Sequence, residues 1–214
     1  MTRRIFITIE YDGTSFVGWQ RQVTGLSVQQ VLEEAAAELT GGDILVQGAG
    51  RTDSGVHATG QVAHLDVPDK FDANRVMEAL NALTGDYPVS IIEAREVDSE
   101  AHARFSATGR RYLSRLLPRR QPPALDQGRV WHHRGSLDPG AMQAAAALLV
   151  GRHDFTSFRA SQCQADSPVR TLDELRIESQ GEELHILAAA RSFLHHQVRN
   201  IVGTLALVGA GKWT

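Results

Sequence analysis

The chain has 214 residues, a formal net charge of −3 and 42% hydrophobic residues, which suits an ordinary globular protein of one large domain or two small ones. Its single cysteine, Cys163, excludes an internal disulfide and a zinc site built from several cysteines. The N-terminus enters a strand pattern at once and no apolar run is long enough to span a bilayer, so the sequence predicts a cytoplasmic protein without a signal peptide or membrane helix.

The first half of the chain has the pattern of a strand, a helix, two strands, a helix and a strand. Residues 4–11 alternate apolar and polar side chains, which is typical of a strand. Ser27 and Gln30 form a capping box before a helix that stops at Gly41. The remaining elements of this half are strands near 44–49 and 60–67, a helix from Asp72 and a strand over 89–97. This order is that of a split βαβ unit.

The second half repeats this architecture without an internal sequence repeat. Its predicted elements are a strand over 110–117, a helix from Asp138 to near Gly151, strands near 173–179 and 183–191, and a helix over 194–208. The pattern therefore predicts two units, 1–100 and 101–214. Together they form an α+β protein of two fused ferredoxin-like or RRM-like sub-domains. They are predicted to share a mostly antiparallel central sheet with the helices on one face. Residues 118–134 and 157–169 are predicted to be surface loops.

One carboxylate, Asp53, lies in a glycine-rich loop between two predicted strands. Gly50, Gly55 and Gly60 allow backbone conformations and close approaches that other residues resist, so a large polymer can press against the loop. A rigid sheet that presents a carboxylate in this way favours a reactive group. The alternative is that Asp53 only caps a turn, because Asp and Gly dominate turns through local hydrogen bonds.

Residues 50–57 read Gly-Arg-Thr-Asp-Ser-Gly-Val-His, and this run resembles the core signature of the tRNA pseudouridine synthase I family, whose nucleophile is the aspartate. Further matches follow in the same order over nearly the whole chain. They are Glu-Tyr-Asp-Gly at 10–13, Gly-Trp-Gln-Arg-Gln at 18–22, Ala-Arg-Phe-Ser-Ala at 103–107, Ser-Pro-Val-Arg-Thr at 167–171 and Phe-Leu-His-His-Gln-Val-Arg-Asn-Ile-Val-Gly at 193–203.

This resemblance implies an isomerase that converts uridine to pseudouridine in the anticodon stem-loop of tRNA, on a flipped-out base and as a homodimer. The reaction breaks the C1′–N1 bond, rotates the uracil and joins C1′ to C5, so it needs no electrons and no cofactor. Asp53 would either attack C1′ covalently or remove a proton from the ribose. The sequence leaves both routes open.

The resemblance also implies roles for Tyr112 and Arg199. Tyr112 would stack on the uracil and help a proton leave C5, whereas a lone tyrosine on a strand is more often a core residue. Arg199, beside small residues on the last predicted helix, would be the buried cation that keeps Asp53 ionised. The alternative for Arg199 is an exposed side chain on a surface helix.

Two further residues of the signature are substrate-binding candidates. Arg51 precedes Asp53 by two residues in an extended loop and is predicted to point the same way. It would fill the gap left by the flipped base, or only contact a phosphate. His57 ends the same signature and is predicted to contact the substrate.

Residues 102–134 form a basic segment, with eight arginines and Asp126 as the single acidic residue. Four of these arginines are predicted to contact the RNA backbone: Arg110, Arg111, Arg119 and Arg120. The alternative is a solvated strand and loop whose acidic partners lie elsewhere in the fold.

Other functions are less well supported by the residues. The adjacent pairs His132-His133 and His195-His196 lack the spacing of metal ligands, so no metal is predicted. The rival functions are a non-catalytic RNA-binding module and a nucleoside or glycoside hydrolase. A hydrolase of this kind usually needs a second carboxylate, and the loop of Asp53 has none.

The family resemblance also concerns the end of the chain. Relatives continue past the helix that carries Arg199 into a further strand, whereas this sequence stops at Thr214. The sequence therefore predicts that a chain ending there is truncated relative to the family. Such a chain would fold around its two cores but isomerise uridine weakly or not at all, and it would be prone to self-association.

Overall fold

Nine strands and four α-helices make up the computed structural model, which describes all residues from 1 to 214. They group into an N-terminal unit, Met1–Ala107, and a C-terminal unit, Thr108–Thr214, whereas the sequence placed this boundary at residue 100. None of the four helices has both the length and the apolar character that are needed to cross a membrane.

The N-terminal unit is a four-stranded sheet with two helices. Its elements are β1 (Thr2–Tyr11), α1 (Val28–Thr40), β2 (Gln47–Gly48), β3 (Ala58–Pro68), α2 (Ala73–Leu83) and β4 (Val89–Val97). The strands lie in the order β2-β3-β1-β4, and every neighbouring pair is antiparallel. This is the split βαβ arrangement that the sequence predicted.

The alternation of side chains along β1 explains how this sheet acquires its core. Ile5, Ile7 and Ile9 are buried on one face, where α1 and α2 contribute their own apolar residues. Ser27 caps α1 by accepting a hydrogen bond from the backbone N–H of Gln30 at 3.1 Å. Gly41 ends the helix in the left-handed conformation, with φ 79°. Both ends of α1 were therefore predicted correctly.

The opposite face of the N-terminal sheet holds a buried histidine. His64 lies near Phe6 with 1% of its surface exposed, and its Nδ1 accepts a hydrogen bond from Ala103 N–H at 3.2 Å. The ring is therefore neutral. Burial, together with the neighbouring His102 and Arg4, lowers the pKa of His64 to about 4.

The C-terminal unit contains a five-stranded sheet. Its elements are β5 (Arg110–Pro118), β6 (Trp131–His133), α3 (Pro139–Ala147), β7 (Gly151–Asp154), β8 (Val169–Gln180), β9 (Glu183–Ala190) and α4 (Gln197–Gly209). The strand order is β6-β5-β9-β8-β7. All pairs are antiparallel except β5 and β6, which pair in parallel over three residues of each strand. The α+β class with mostly antiparallel strands is thus confirmed.

The structure corrects the predicted fold in four respects. The strands pair into two sheets, one in each unit, instead of one shared central sheet. Two strands were missed, β6 inside the predicted loop 118–134 and β7 after α3, because runs of three and four residues are too short to show alternation. The predicted loop 157–169 begins within a 3₁₀ turn, Thr156–Phe158. The strand predicted from residue 173 begins at Val169.

Candidate active site

Asp53 lies in the loop of residues 49–57, which connects β2 to β3. The loop is fixed to the sheet at its start, where Ala49 N–H donates to Val62 O at 2.7 Å. Within the loop, Val56 N–H donates to Asp53 O at 3.2 Å and Gly55 has φ 76°, which closes a tight turn. The side chain of Asp53 is half-buried. A backbone turn thus holds the carboxylate at the end of a sheet.

The outer side of this loop is held by the segment between β1 and α1. Trp19 N–H donates to Thr52 O at 3.1 Å, and the Thr52 hydroxyl lies 2.8 Å from the hydroxyl of Tyr11. On the other side of Asp53, the Ser54 hydroxyl donates to Phe16 O at 3.2 Å. Because both neighbours of Asp53 are bonded to residues 11–19, the position of the carboxylate depends on that segment.

Glycines outside the loop make this contact possible. A Cβ on Gly18, whose φ is 115°, would lie 2.5 Å from Thr52 O, and a Cβ on Gly13 would lie 2.1 Å from Val56 O. Neither position has room for a side chain. Gly60, one of the three glycines singled out from the sequence, is less crowded, because an added Cβ there would contact only a methyl group of Thr8 at 3.9 Å. The two motifs 10–13 and 18–22 therefore shape the loop that carries Asp53.

His57 is bonded to this same segment. Its Nδ1 lies 3.1 Å from Gly13 N and 3.1 Å from an Asp12 carboxylate oxygen. One nitrogen cannot accept from Gly13 and donate to Asp12 at the same time, so the tautomer of the ring decides which of the two it bonds. These contacts anchor the end of the loop, and the substrate contact of His57 stays a prediction.

Arg51 is exposed in the loop, two residues before Asp53. The contact of Arg51 with a phosphate or with the gap left by a flipped base stays a prediction. Arg51, Asp53 and His57 therefore belong to one loop of the N-terminal unit. Tyr112 and Arg199 belong to the C-terminal unit.

Tyr112 lies on β5 opposite Ala188 of β9 and is half-buried. Its ring meets the ring of Phe193 edge to face, with the ring centroids 5.2 Å apart and the planes at 83°. Phe193 is the first residue of the motif 193–203. The structure therefore joins Tyr112 to this motif, a contact that could not be predicted from the sequence.

The rest of that motif builds a tight turn before α4. His196 has φ 60° and is the one residue other than glycine with a positive φ, a strained conformation. Gln197 is buried, and its side-chain oxygen accepts a hydrogen bond from Leu194 N–H at 2.8 Å. Asn200 donates to Phe158 O at 2.9 Å. Gln197 stands between His196 and Val198, so no local sequence pattern marks it as buried.

Arg199 lies in the first turn of α4 and is exposed. The sequence predicted a buried cation, and this expectation of burial was wrong because Ile201 and Leu205 form the stripe that α4 buries. The proposed pairing of Arg199 with Asp53 stays a prediction.

The basic segment 102–134 has acidic partners elsewhere in the fold, as its alternative interpretation held. Arg115 forms ion pairs with Glu183 at 2.6 Å and Asp126 at 3.2 Å. The hydrogen bond from Arg115 lowers the pKa of Glu183 to about 2, and the two carboxylates raise the pKa of Arg115. Arg119 forms an ion pair with Glu182 at 2.6 Å. Part of the predicted positive charge is therefore neutralised.

The four predicted backbone contacts differ in their surroundings. Arg110 donates a hydrogen bond to Arg191 O, and Arg119 also donates to Gln121 O at 3.0 Å. Arg111 and Arg120 are exposed. Of the four, the last two are the side chains best placed for a polyanion.

The chain is similar to known proteins over almost its whole length. Residues 7–106 and 145–214 match the family model described as tRNA pseudouridine synthase. The tRNA pseudouridine synthase A of Rhodospirillum rubrum is 59% identical over 211 residues, which cover 99% of this chain and 76% of that protein. The synthases A of Acidiphilium cryptum and Zymomonas mobilis are 58% and 52% identical, covering 99% of this chain and 84% and 86% of their own lengths. These relatives all point to one family.

Proposed function

Since the chain belongs to the tRNA pseudouridine synthase family, we propose that it isomerises uridine to pseudouridine in tRNA. The observation that carries this proposal is the fixed presentation of one half-buried carboxylate, Asp53, by a loop bonded on both sides of it. The relatives named above are tRNA pseudouridine synthases, which supports this activity.

Asp53 is the catalytic residue of this proposal. The C1′–N1 bond breaks, the uracil turns while it stays bound, and C5 bonds to C1′ and then loses its proton. Asp53 either attacks C1′ or takes a ribose proton, and both routes need a carboxylate that a rigid loop holds at the sugar. A uridine inside a helical stem must leave the stack to reach it. Exposed Arg51 is suited to occupy the space that the base leaves.

Tyr112 and Arg199 complete the proposed set. The edge-to-face contact with Phe193 orients the Tyr112 ring, so one face can stack on uracil and the hydroxyl can take part in the proton transfer from C5. Arg199 supplies a cation that keeps Asp53 ionised once tRNA excludes water. We further propose the anticodon stem-loop as the target, a homodimer as the active form, and the cytoplasm, where tRNA is modified, as the location.

The test is pseudouridine mapping of tRNA after incubation with the pure protein and with two variants. Asp53→Asn removes the reactive charge but keeps the size of the side chain, so we expect tRNA binding without isomerisation. Asp43→Asn is the matched control, because Asp43 is exposed and lies outside the motif. Turnover by Asp53→Asn close to that of the unchanged protein would contradict the assignment of Asp53. Binding of tRNA by the unchanged protein without any product would indicate a non-catalytic RNA-binding module instead.

A further inference from the structure

An open cleft of about 510 Å³ lies in the C-terminal unit beside β8 and the edge strand β7. Three of its lining side chains are arginines, Arg152, Arg170 and Arg191. Four residues of the motif at 167–171, all except Pro168, line the cleft, and the proposed reaction gives this motif no role. Three positively charged side chains around one cleft favour an anionic ligand.

Strand pairing brings these arginines together from three parts of the chain. Arg152 of β7 pairs with Thr171 of β8, directly after Arg170. Leu172 then pairs with Ala190, the last residue of β9, so Arg191 follows beside it. The arginines are distant in sequence, which is why the basic cluster cannot be seen as a charge run.

A bulge places the single carboxylate of the cleft. The register of β8 and β9 shifts between Leu172 and Glu174, so Asp173 is the extra residue and its side chain lines the cleft. Asp173 forms no ion pair with the three arginines, in contrast to the carboxylates that neutralise Arg115 and Arg119. The cleft therefore keeps an excess of positive charge.

Arg170 is fixed in place by its own backbone surroundings. Its Nη1 donates to Ser167 O at 2.9 Å and to Val169 O at 2.7 Å, while its Nε is buried without a hydrogen-bond partner in the protein. Arg152 and Arg191 are exposed. One anchored guanidinium with two exposed ones is suited to a ligand that passes over the surface rather than one that is enclosed.

We propose that this cleft binds a backbone phosphate of tRNA, an inference that rests on the proposed function. A guanidinium bonds two phosphate oxygens at once through its planar fork, and the hydroxyls of Ser167, Thr171 and Ser192 add neutral donors around it. The exposure of Arg152 and Arg191 leaves room for the polymer on both sides of the bound phosphate. The cleft thereby positions the RNA and reads no sequence.

The first experiment replaces Arg152 and Arg191 together by glutamine and measures tRNA affinity against salt concentration. We expect affinity at low salt to fall about tenfold and the slope of log K against log salt to become smaller by about one. Arg176→Gln is the matched control. It removes the same charge from β8, but Arg176 is paired with Glu174 and Glu178 outside the cleft. An unchanged slope in the double variant would overturn the proposal.

The second experiment measures a gain in tRNA affinity, which a folding defect cannot produce. Asp173→Asn removes the one negative charge of the cleft, so tRNA should bind about two- to fivefold more tightly at low salt. The gain should shrink as salt screens the site. Equal or weaker binding by Asp173→Asn, with the thermal unfolding midpoint unchanged, would contradict a phosphate at this place.

Two controls separate this proposal from the proposed function. If the unchanged protein forms pseudouridine while the double variant keeps its affinity and salt slope, only the phosphate cleft is wrong. If the unchanged protein forms no pseudouridine in tRNA but the arginine and Asp173 variants shift affinity as expected, the cleft stands and the catalytic assignment fails. Inorganic phosphate is a further probe. If millimolar phosphate occupies the cleft but leaves tRNA binding unaffected, the cleft is a site for a free anion and the proposal is overturned.

Discussion

The ring of Tyr112 on β5 meets the ring of Phe193 edge to face, with the centroids 5.2 Å apart. Phe193 lies between β9 and α4, so the contact ties the proposed uracil-stacking residue to the turn that begins α4. An edge-to-face pair of this kind contributes about 1 kcal/mol beyond the burial of its area. Phe193 therefore helps to orient the ring of Tyr112.

Tyr112→Phe should separate stacking from proton transfer. The variant keeps the aromatic ring and its contact with Phe193 but loses the hydroxyl, so kcat for pseudouridine formation should fall about 100-fold while KM for tRNA stays nearly constant. Tyr87→Phe is the control, because Tyr87 is an exposed tyrosine of the N-terminal unit. A loss of tRNA affinity with kcat unchanged would make Tyr112 a binding residue only.

Gly18→Ala should displace the loop of Asp53. Gly18 has φ 115° and its added Cβ would lie 2.5 Å from Thr52 O, so the variant combines backbone strain with a clash. We expect a loss of about 2 to 3 kcal/mol in the free energy of unfolding, measured with urea, and a loss of pseudouridine formation. Gly42→Ala should change neither, since Gly42 has open space around its Cα. Full activity of Gly18→Ala would show that residues 11–19 do not position the loop.

Stability should fall as the pH decreases from about 6.5 to 4, because His64 is buried in its neutral form. Its pKa is lowered from 6.5 to about 4, so the unfolded chain binds a proton that the folded protein does not. The contribution of neutral His64 to the free energy of unfolding is complete above pH 6.5. About 3 kcal/mol of this contribution is lost by pH 4.

His64→Asn removes this titration while it keeps an acceptor for Ala103 N–H. Urea unfolding between pH 7 and pH 4 should therefore show a smaller pH dependence in this variant. His153→Asn, at an exposed histidine, should retain the full dependence. An equal pH dependence in His64→Asn and the unchanged protein would mean that another group is responsible.

Arg115→Gln should lower stability and leave the salt dependence of tRNA binding unchanged. The guanidinium is already paired with Glu183 and Asp126, and removing it leaves the partly buried Glu183 carboxylate without that cation. We expect about 1 to 2 kcal/mol lost at pH 7. Because the pKa of Glu183 is lowered from 4.5 to about 2, this contribution is complete above pH 4.5 and disappears toward pH 2. A flatter salt slope for Arg115→Gln would instead place RNA on this arginine.

Helices and long strands were predictable because their signals are local. The Ser27 cap, the Gly41 stop and the alternation over 89–97 each depend on neighbours within a few residues, and the structure has all three. The start of α4 was placed three residues early, since the turn at His196 depends on a positive φ that no histidine pattern predicts. Short β6 and β7 exist because longer strands are there to pair with them.

The surroundings of the candidate site residues could not be predicted from the sequence. The family signature proposes Asp53 and Tyr112 as site residues, but Phe16, which holds the loop of Asp53 through Ser54, and Phe193, which contacts Tyr112, belong to other segments of the chain. The neutralisation of Arg115 and Arg119 depends on strand pairing that puts Glu183 beside β5. Such contacts are properties of the topology, and no single stretch of sequence contains them.

The support that residues 11–19 give to the loop of Asp53 limits how this site can be transplanted. Residues 49–57 carry the carboxylate, but Thr52 and Ser54 are held by Trp19 and Phe16 from before α1. A protein engineer who grafts only the nine-residue loop onto another sheet would move the reactive group without the surface that fixes it. The smallest portable unit consists of two separate segments, together with the glycines that let them touch.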